Sequence, residues 1–157
     1  MTPEDLVELE AIKRLKYTYI RCVDLKDWEQ LESTLTEDAS AAYAGGALSF
    51  DGREAIMAFL RSSLSDTEII SSHRVHHPEI ELTGPDTATA TWALDDVVIA
   101  RAAGVTIRGA AYYTDEMVKV DGQWKIRSTG YKRVYEETET RSPGLQLSAT
   151  WWDPPAT

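Results

Sequence analysis

Apolar side chains recur every three or four positions near the start of the chain and every second position in its later part. Leu9, Ile12, Leu15 or Lys16, Tyr19 and Cys22 fall on one face of an amphipathic helix of about six turns. Its start is marked by Thr2, Pro3 and Asp5: a hydroxyl for the exposed backbone N–H groups, a proline where no N–H is needed, and an acid three residues on. The spacing predicts a second helix through Trp28, Leu31 and Leu35. A third runs through Ile56, Phe59, Leu60 and Leu64, after a turn at Asp51-Gly52. Beyond residue 70 the period changes to two.

Thr87-Ala88-Thr89-Ala90-Thr91-Trp92-Ala93-Leu94 alternates as a strand with one polar and one apolar face. It follows Ile80 and Leu82 across Gly84-Pro85-Asp86, which reads as a hairpin turn. A second hairpin is predicted where Met117 to Val120 meets Trp124-Lys125-Ile126 across Asp121-Gly122. Helices followed by antiparallel strands give an α+β class.

A chain of 157 residues suits one domain, here residues 1–141. Residues 142–157 carry three prolines and the pair Trp151-Trp152, and read as an irregular tail that caps a pocket or meets another subunit. Cys22 is the only cysteine, so no internal disulfide forms. The acidic start MTPEDLVELE lacks the basic and apolar regions of a signal peptide, and a cytoplasmic protein is expected. A net charge of −10 argues against nucleic acid or an anionic membrane as partner, because phosphate binding needs clustered Lys and Arg.

Candidate chemistry sits where a polar group falls on an apolar face. Extending Ala88, Ala90, Trp92 and Leu94 places Asp96 on that face, which is costly for a carboxylate unless it is paired. The alternative is that the strand ends or bulges there and Asp96 is solvated; Asp95 falls on the polar face. Tyr19 lies on the helical stripe, either as core with a satisfied hydroxyl or as a donor to a substrate. Asp24 follows on the same helix and equally suits a cap for the second helix. Tyr43 and Arg133 carry weaker signals, of strand packing and surface charge.

His73, His76 and His77 are the only histidines. Along a strand His73 and His77 share a face and His76 takes the other, so the three do not converge on a metal, and no metal or other cofactor is expected. One neutral imidazole acting as a base is the better use. Simple alternation groups His76 with Ile80 and Leu82 and favours His76 as the inward one, unless a bulge near Pro78 reverses the register.

The stretches EAIKRLKYTYIRCVDLKDWEQLESTLTED, HRVHHPEIEL, TATATWALDD and AAYYTDEMVKVDGQWKIRSTGYKRVYEE resemble the SnoaL-like branch of the nuclear transport factor two-like superfamily. Within it they are most similar to the bile-acid 7α-dehydratases, and more distantly to scytalone dehydratase and hexachlorocyclohexane dehydrochlorinase. The likeness spans about Glu8 to Glu137. It implies a cone-shaped α+β barrel, a strongly bent antiparallel sheet wrapped around three N-terminal helices and enclosing an apolar pocket. Matched motif by motif, it implies catalytic roles for Tyr19, Asp24, His73 and Asp96, and substrate contacts for Tyr43 and Arg133. The histidine it points to is thus His73, against the alternation.

The resemblance implies a cofactor-independent dehydratase acting on a hydroxylated ketone or enone with a steroid-like body, free or as a coenzyme A thioester. It also implies a homodimer or homotrimer. A proton shuttle of the ketosteroid-isomerase kind and a non-catalytic binding or assembly module are the other two readings. The tail LQLSATWWDPPAT has no counterpart in the pattern.

Overall fold

Thr2 and Asp5 close the first helix by a reciprocal pair of bonds: Asp5 N–H donates to Thr2 Oγ1 at 3.2 Å and Thr2 N–H to the Asp5 carboxylate at 2.7 Å. From this cap α1 runs over Pro3–Leu25 and stops at Lys26, which takes a left-handed conformation. The computed structural model describes residues 1–155. Among them no helix is long and apolar enough to cross a membrane.

The remaining elements are α2 (Trp28–Ser33), β1 (Leu35–Tyr43), a turn of 3-10 helix (Ala44–Gly46), β2 (Leu48–Asp51), α3 (Arg53–Leu64), β3 (Ile69–Gly84), β4 (Thr87–Ala100), β5 (Val105–Val120) and β6 (Gln123–Thr140). Two strands therefore precede the third helix, where helices alone were expected. Leu35, expected in the second helix, is the buried first residue of β1. The reason is visible in LTEDASAAY: its inward positions Ala39 and Ala41 are too small to make alternation stand out before Tyr43.

Strand order is β2-β1-β6-β5-β4-β3 in one six-stranded sheet. Both predicted hairpins form, and at the second Asp121 and Gly122 have φ of 50° and 77°, the paired positive values of a tight two-residue turn. The expected α+β cone forms, and two details define its sheet. The sheet is mixed, because β1 lies parallel to β6, and it is not closed, because β2 and β3 are free edges. Ala42 O sits against Gly130 where a Cβ would have to be, so the parallel junction relies on that glycine.

The helices pack into the bent sheet. Ile12, Tyr19, Leu31, Ile56, Trp92, Met117 and Ile126 form the heart of the core. Beyond β6 the chain through residue 155 has no helix or strand, and Trp152 lies against the end of α1, its ring centroid 4.9 Å from Lys26 Nζ.

Candidate active site

Asp24 sits in the last turn of α1, beside the edge strand β3. Its Oδ2 accepts the His73 backbone N–H at 2.8 Å, and its Oδ1 accepts Ser71 Oγ at 2.9 Å and lies 2.6 Å from His73 Nδ1. Three donors on one carboxylate fix its position. With a proton on Nδ1 donated to Asp24, the lone pair of His73 is left on Nε2, which has no partner among the described residues. The capping role open to Asp24 falls instead to Asp27, which accepts from Gln30 N–H at the start of α2.

His76, the inward histidine by simple alternation, is 41% exposed, and its Nε2 pairs with Asp95 at 3.1 Å. The correction has a local cause. Between His76 and Glu79 the β3–β4 register shifts, and His77 takes φ 47°. Inward residues are Ser71, His73 and Val75 before this bulge, and Ile80 and Leu82 after it.

Asp96 is 5% exposed and β4 continues past it to Ala100, so the strand neither ends nor bulges there. It pairs across the ladder with His73, which puts the two side chains next to each other on the inner face. Arg133 Nη1 donates to Asp96 Oδ1 at 2.5 Å and Nη2 to Oδ2 at 3.0 Å, while Nε pairs with Glu136 at 2.9 Å. Accepting these bonds, Asp96 pushes the guanidinium pKa up further. Arg133 reaches across Gly109, where an added Cβ would lie 3.0 Å from Nη1 and 2.5 Å from Tyr135 O. Only a residue without a side chain leaves that path open.

Tyr19 and Tyr43 place their hydroxyls 2.8 Å apart in the core. One hydrogen lies between the two oxygens, so the other remains for a third acceptor. Tyr43 stacks on Phe59 at 5.9 Å and sits 5.7 Å from Tyr131, and the Arg133 guanidinium lies over Tyr131 at 5.0 Å. The six residues thus form three pairs, Asp24–His73, Asp96–Arg133 and Tyr19–Tyr43. The first two meet across the β3–β4 ladder, and the last two meet through Tyr131.

Burial pushes the Tyr43 phenol up to about 12, and holds Tyr19 and Tyr113 well above the usual tyrosine range. Both members of the pair stay protonated as donors at any ordinary pH. A folded-state value above the unfolded one, near 10, means that stability is intact below pH ~10 and falls as pH rises towards ~12. Urea unfolding should show a flat midpoint up to that window and a decline through it. Phenolate absorbance of all seven tyrosines in the still-folded chain by pH ~11 would contradict this burial.

A cavity of about 330 Å³ opens on the Asp24–His73 pair, lined by Tyr17, Ile20, Arg21, Leu25, Arg74 and Val75. Tyr19, Tyr43, Asp96 and Arg133 do not line it, so the described cavity reaches one of the three pairs. Along the sequence, the pattern of the SnoaL-like domain matches residues 4–130. The chain belongs to the SnoaL-like domain family.

Solved structures agree with that membership in fold. A protein from Novosphingobium aromaticivorans, provisionally named a scytalone dehydratase, superposes with a TM-score of 0.81 at 24% identity, over 94% of this chain and 100% of the other. Hexachlorocyclohexane dehydrochlorinase LinA-type3 from Novosphingobium barchaimii gives 0.77 at 19% identity, over 93% and 97%. The ActVI-ORFA protein of Streptomyces coelicolor gives 0.68 at 18%, over 80% and 96%. This is the α+β cone of the nuclear transport factor two-like proteins.

This SnoaL-like domain also holds a buried charge cluster that inspection of the sequence passed over. Lys16 and Asp115 are both fully buried, with Nζ 2.8 Å from Oδ2 and 3.1 Å from Oδ1, and Thr129 Oγ1 donates to Asp115 Oδ1 at 2.7 Å. The Lys16 ammonium lies 3.6 Å from the Tyr113 ring centroid and 5.0 Å from that of Tyr19. Burial pushes the Lys16 pKa down, and Asp115 opposes that shift. The signal was present: Lys16 lies on the stripe of Ile12 and Tyr19, and Asp115 is in phase with the buried Ala111, Tyr113 and Met117. It is the criterion that selected Asp96.

Proposed function

We propose that this SnoaL-like domain is a lyase of the dehydratase type. It would eliminate water from a hydroxylated ketone or enone with a fused-ring, steroid-like body, as in bile-acid 7α-dehydration. The observation that carries this reading is the Asp24–His73 pair, oriented through Nδ1 with Nε2 free beside a cavity floored by Ile20, Leu25 and Val75. In this mechanism His73 Nε2 removes a proton from a carbon made acidic by a carbonyl, direct or vinylogous, and Asp24 stabilises the imidazolium that forms. The donor assigned to the enolate oxygen is the spare hydrogen of the Tyr19–Tyr43 pair, which lies in the core outside the described cavity; one such donor contributes about 3 kcal/mol. The proton on His73 then passes to the departing hydroxide, so the carbon–oxygen bond breaks with loss of one water.

Asp96 takes a different role from Asp24. Both its oxygens accept from Arg133, and it lies beside His73 across the ladder, where it faces the imidazolium. With both oxygens of Asp96 taken by Arg133, a second reading gains support, in which His73 shuttles a proton within a ketosteroid and nothing leaves. The names of the structurally similar scytalone dehydratase and hexachlorocyclohexane dehydrochlorinase favour elimination. The experiment is incubation with hydroxylated 3-oxo-4-ene steroids, free and thioesterified, followed by mass spectrometry. Loss of one water supports the dehydratase, unchanged mass with a moved double bond supports the shuttle, and no turnover of any member rejects both.

A further inference from the structure

We propose that Arg21 and Arg74, at the lip of the Asp24–His73 cavity, bind an anionic substituent of the substrate, a carboxylate or a phosphate. Both are exposed residues that line the cavity. Arg21 Nη2 donates to Gln30 Oε1 at 2.9 Å and Arg74 Nη1 to His73 O at 2.9 Å, so each guanidinium is anchored by a neutral acceptor. Neither pairs with a carboxylate among the described residues, although the chain carries 26 acids against 16 lysines and arginines. Arg53, Arg101, Arg108, Arg127 and Arg133 do, while Arg14, Arg61 and Arg141 do not; what sets Arg21 and Arg74 apart is that both line one cavity. Asp95, across the ladder from Arg74, pairs with His76, and Asp24 accepts three hydrogen bonds.

Two guanidinium groups without a carboxylate partner thus flank one cavity of a negative molecule. Their planar forks suit the paired oxygens of a carboxylate or phosphate. Arg133, which the family resemblance offered for substrate contact, already has Nη1 and Nη2 engaged by Asp96, and its Nε is buried within 2.9 Å of Glu136. At about 330 Å³ the cavity is near the lower end of the usual range for ligand sites. It suits the reacting ring, with the rest of the substrate passing over the lip between the two arginines. The inference rests on the reading that this cavity holds that ring.

Fluorescence titration with 2-naphthol, 2-naphthoate and 2-naphthyl phosphate at neutral pH tests it without requiring turnover. At least one anion should bind about tenfold more tightly than naphthol, with the preference weakened by salt. Arg21→Gln/Arg74→Gln should abolish the preference and leave naphthol affinity unchanged, whereas the control Arg53→Gln/Arg127→Gln keeps it. Preference for naphthoate assigns the group as a carboxylate, and preference for naphthyl phosphate as a phosphate. Equal binding of naphthol and both anions, a preference that survives the double variant, or no binding of any probe would overturn the proposal. Failure of the steroid incubation would reject the elimination chemistry and leave an observed anion preference standing.

Discussion

His73→Ala should lower turnover of whichever steroid the domain accepts by about 10²–10⁴-fold, the range that a positioned base contributes. The imidazole is largely buried but belongs to an edge strand, so the substitution should leave circular dichroism and the unfolding midpoint nearly unchanged. Asp24→Asn keeps the size of the side chain and removes its charge, and should lower turnover through the orientation of the imidazole, with KM moving less than kcat. His76→Ala removes a half-exposed imidazole paired with Asp95, and should change neither. A His73→Ala protein with full activity would end the assignment of His73 as base. Loss of activity on His76→Ala alone would transfer the role to the other histidine.

Asp115→Asn should be the most damaging single substitution for stability. The carboxylate is fully buried against Lys16, and its replacement leaves an ammonium without a counter-charge in the core and Thr129 with a weaker acceptor. Removing one partner of a buried pair costs about 3–5 kcal/mol, against a total stability of about 5–15 kcal/mol for a domain. Lys16→Met/Asp115→Leu removes both charges and should recover most of that loss, because an apolar pair of similar volume avoids desolvating either ion. Urea unfolding of the two variants gives the comparison. A loss below about 1 kcal/mol for Asp115→Asn would mean that water reaches the pair and that the core is looser than its packing indicates.

Much of this is legible in the amino-acid sequence. The capping box at Thr2 and Asp5, the stripe of α1, the two hairpins and the inward turn of Asp96 all follow from period and from the preferences of a few residues. The parallel junction of β1 and β6 was not legible, since it joins segments nearly ninety residues apart and leaves no trace in either one's period. Nor was the partner of Asp96: Arg133 looked like a surface charge because the gap that lets it inward belongs to Gly109 on the intervening strand. The Lys16–Asp115 pair was within reach of the pattern, but a lysine on a helical stripe is easily taken for a boundary residue whose stem lies along the apolar face.

The bulge at His77 has a consequence for comparing this domain with its relatives. A strand carries its facing information as parity, and one extra residue inverts that parity for everything on one side of it. Ser71, His73 and Val75 are odd-numbered and inward; Ile80 and Leu82 are even-numbered and inward. A relative built without the extra residue, aligned on Ile80 and Leu82 with no gap, would set its own inward histidine in the column next to His73. Conservation counted column by column would then divide one function between two positions, and the gap has to be placed from the ladder before the columns are read.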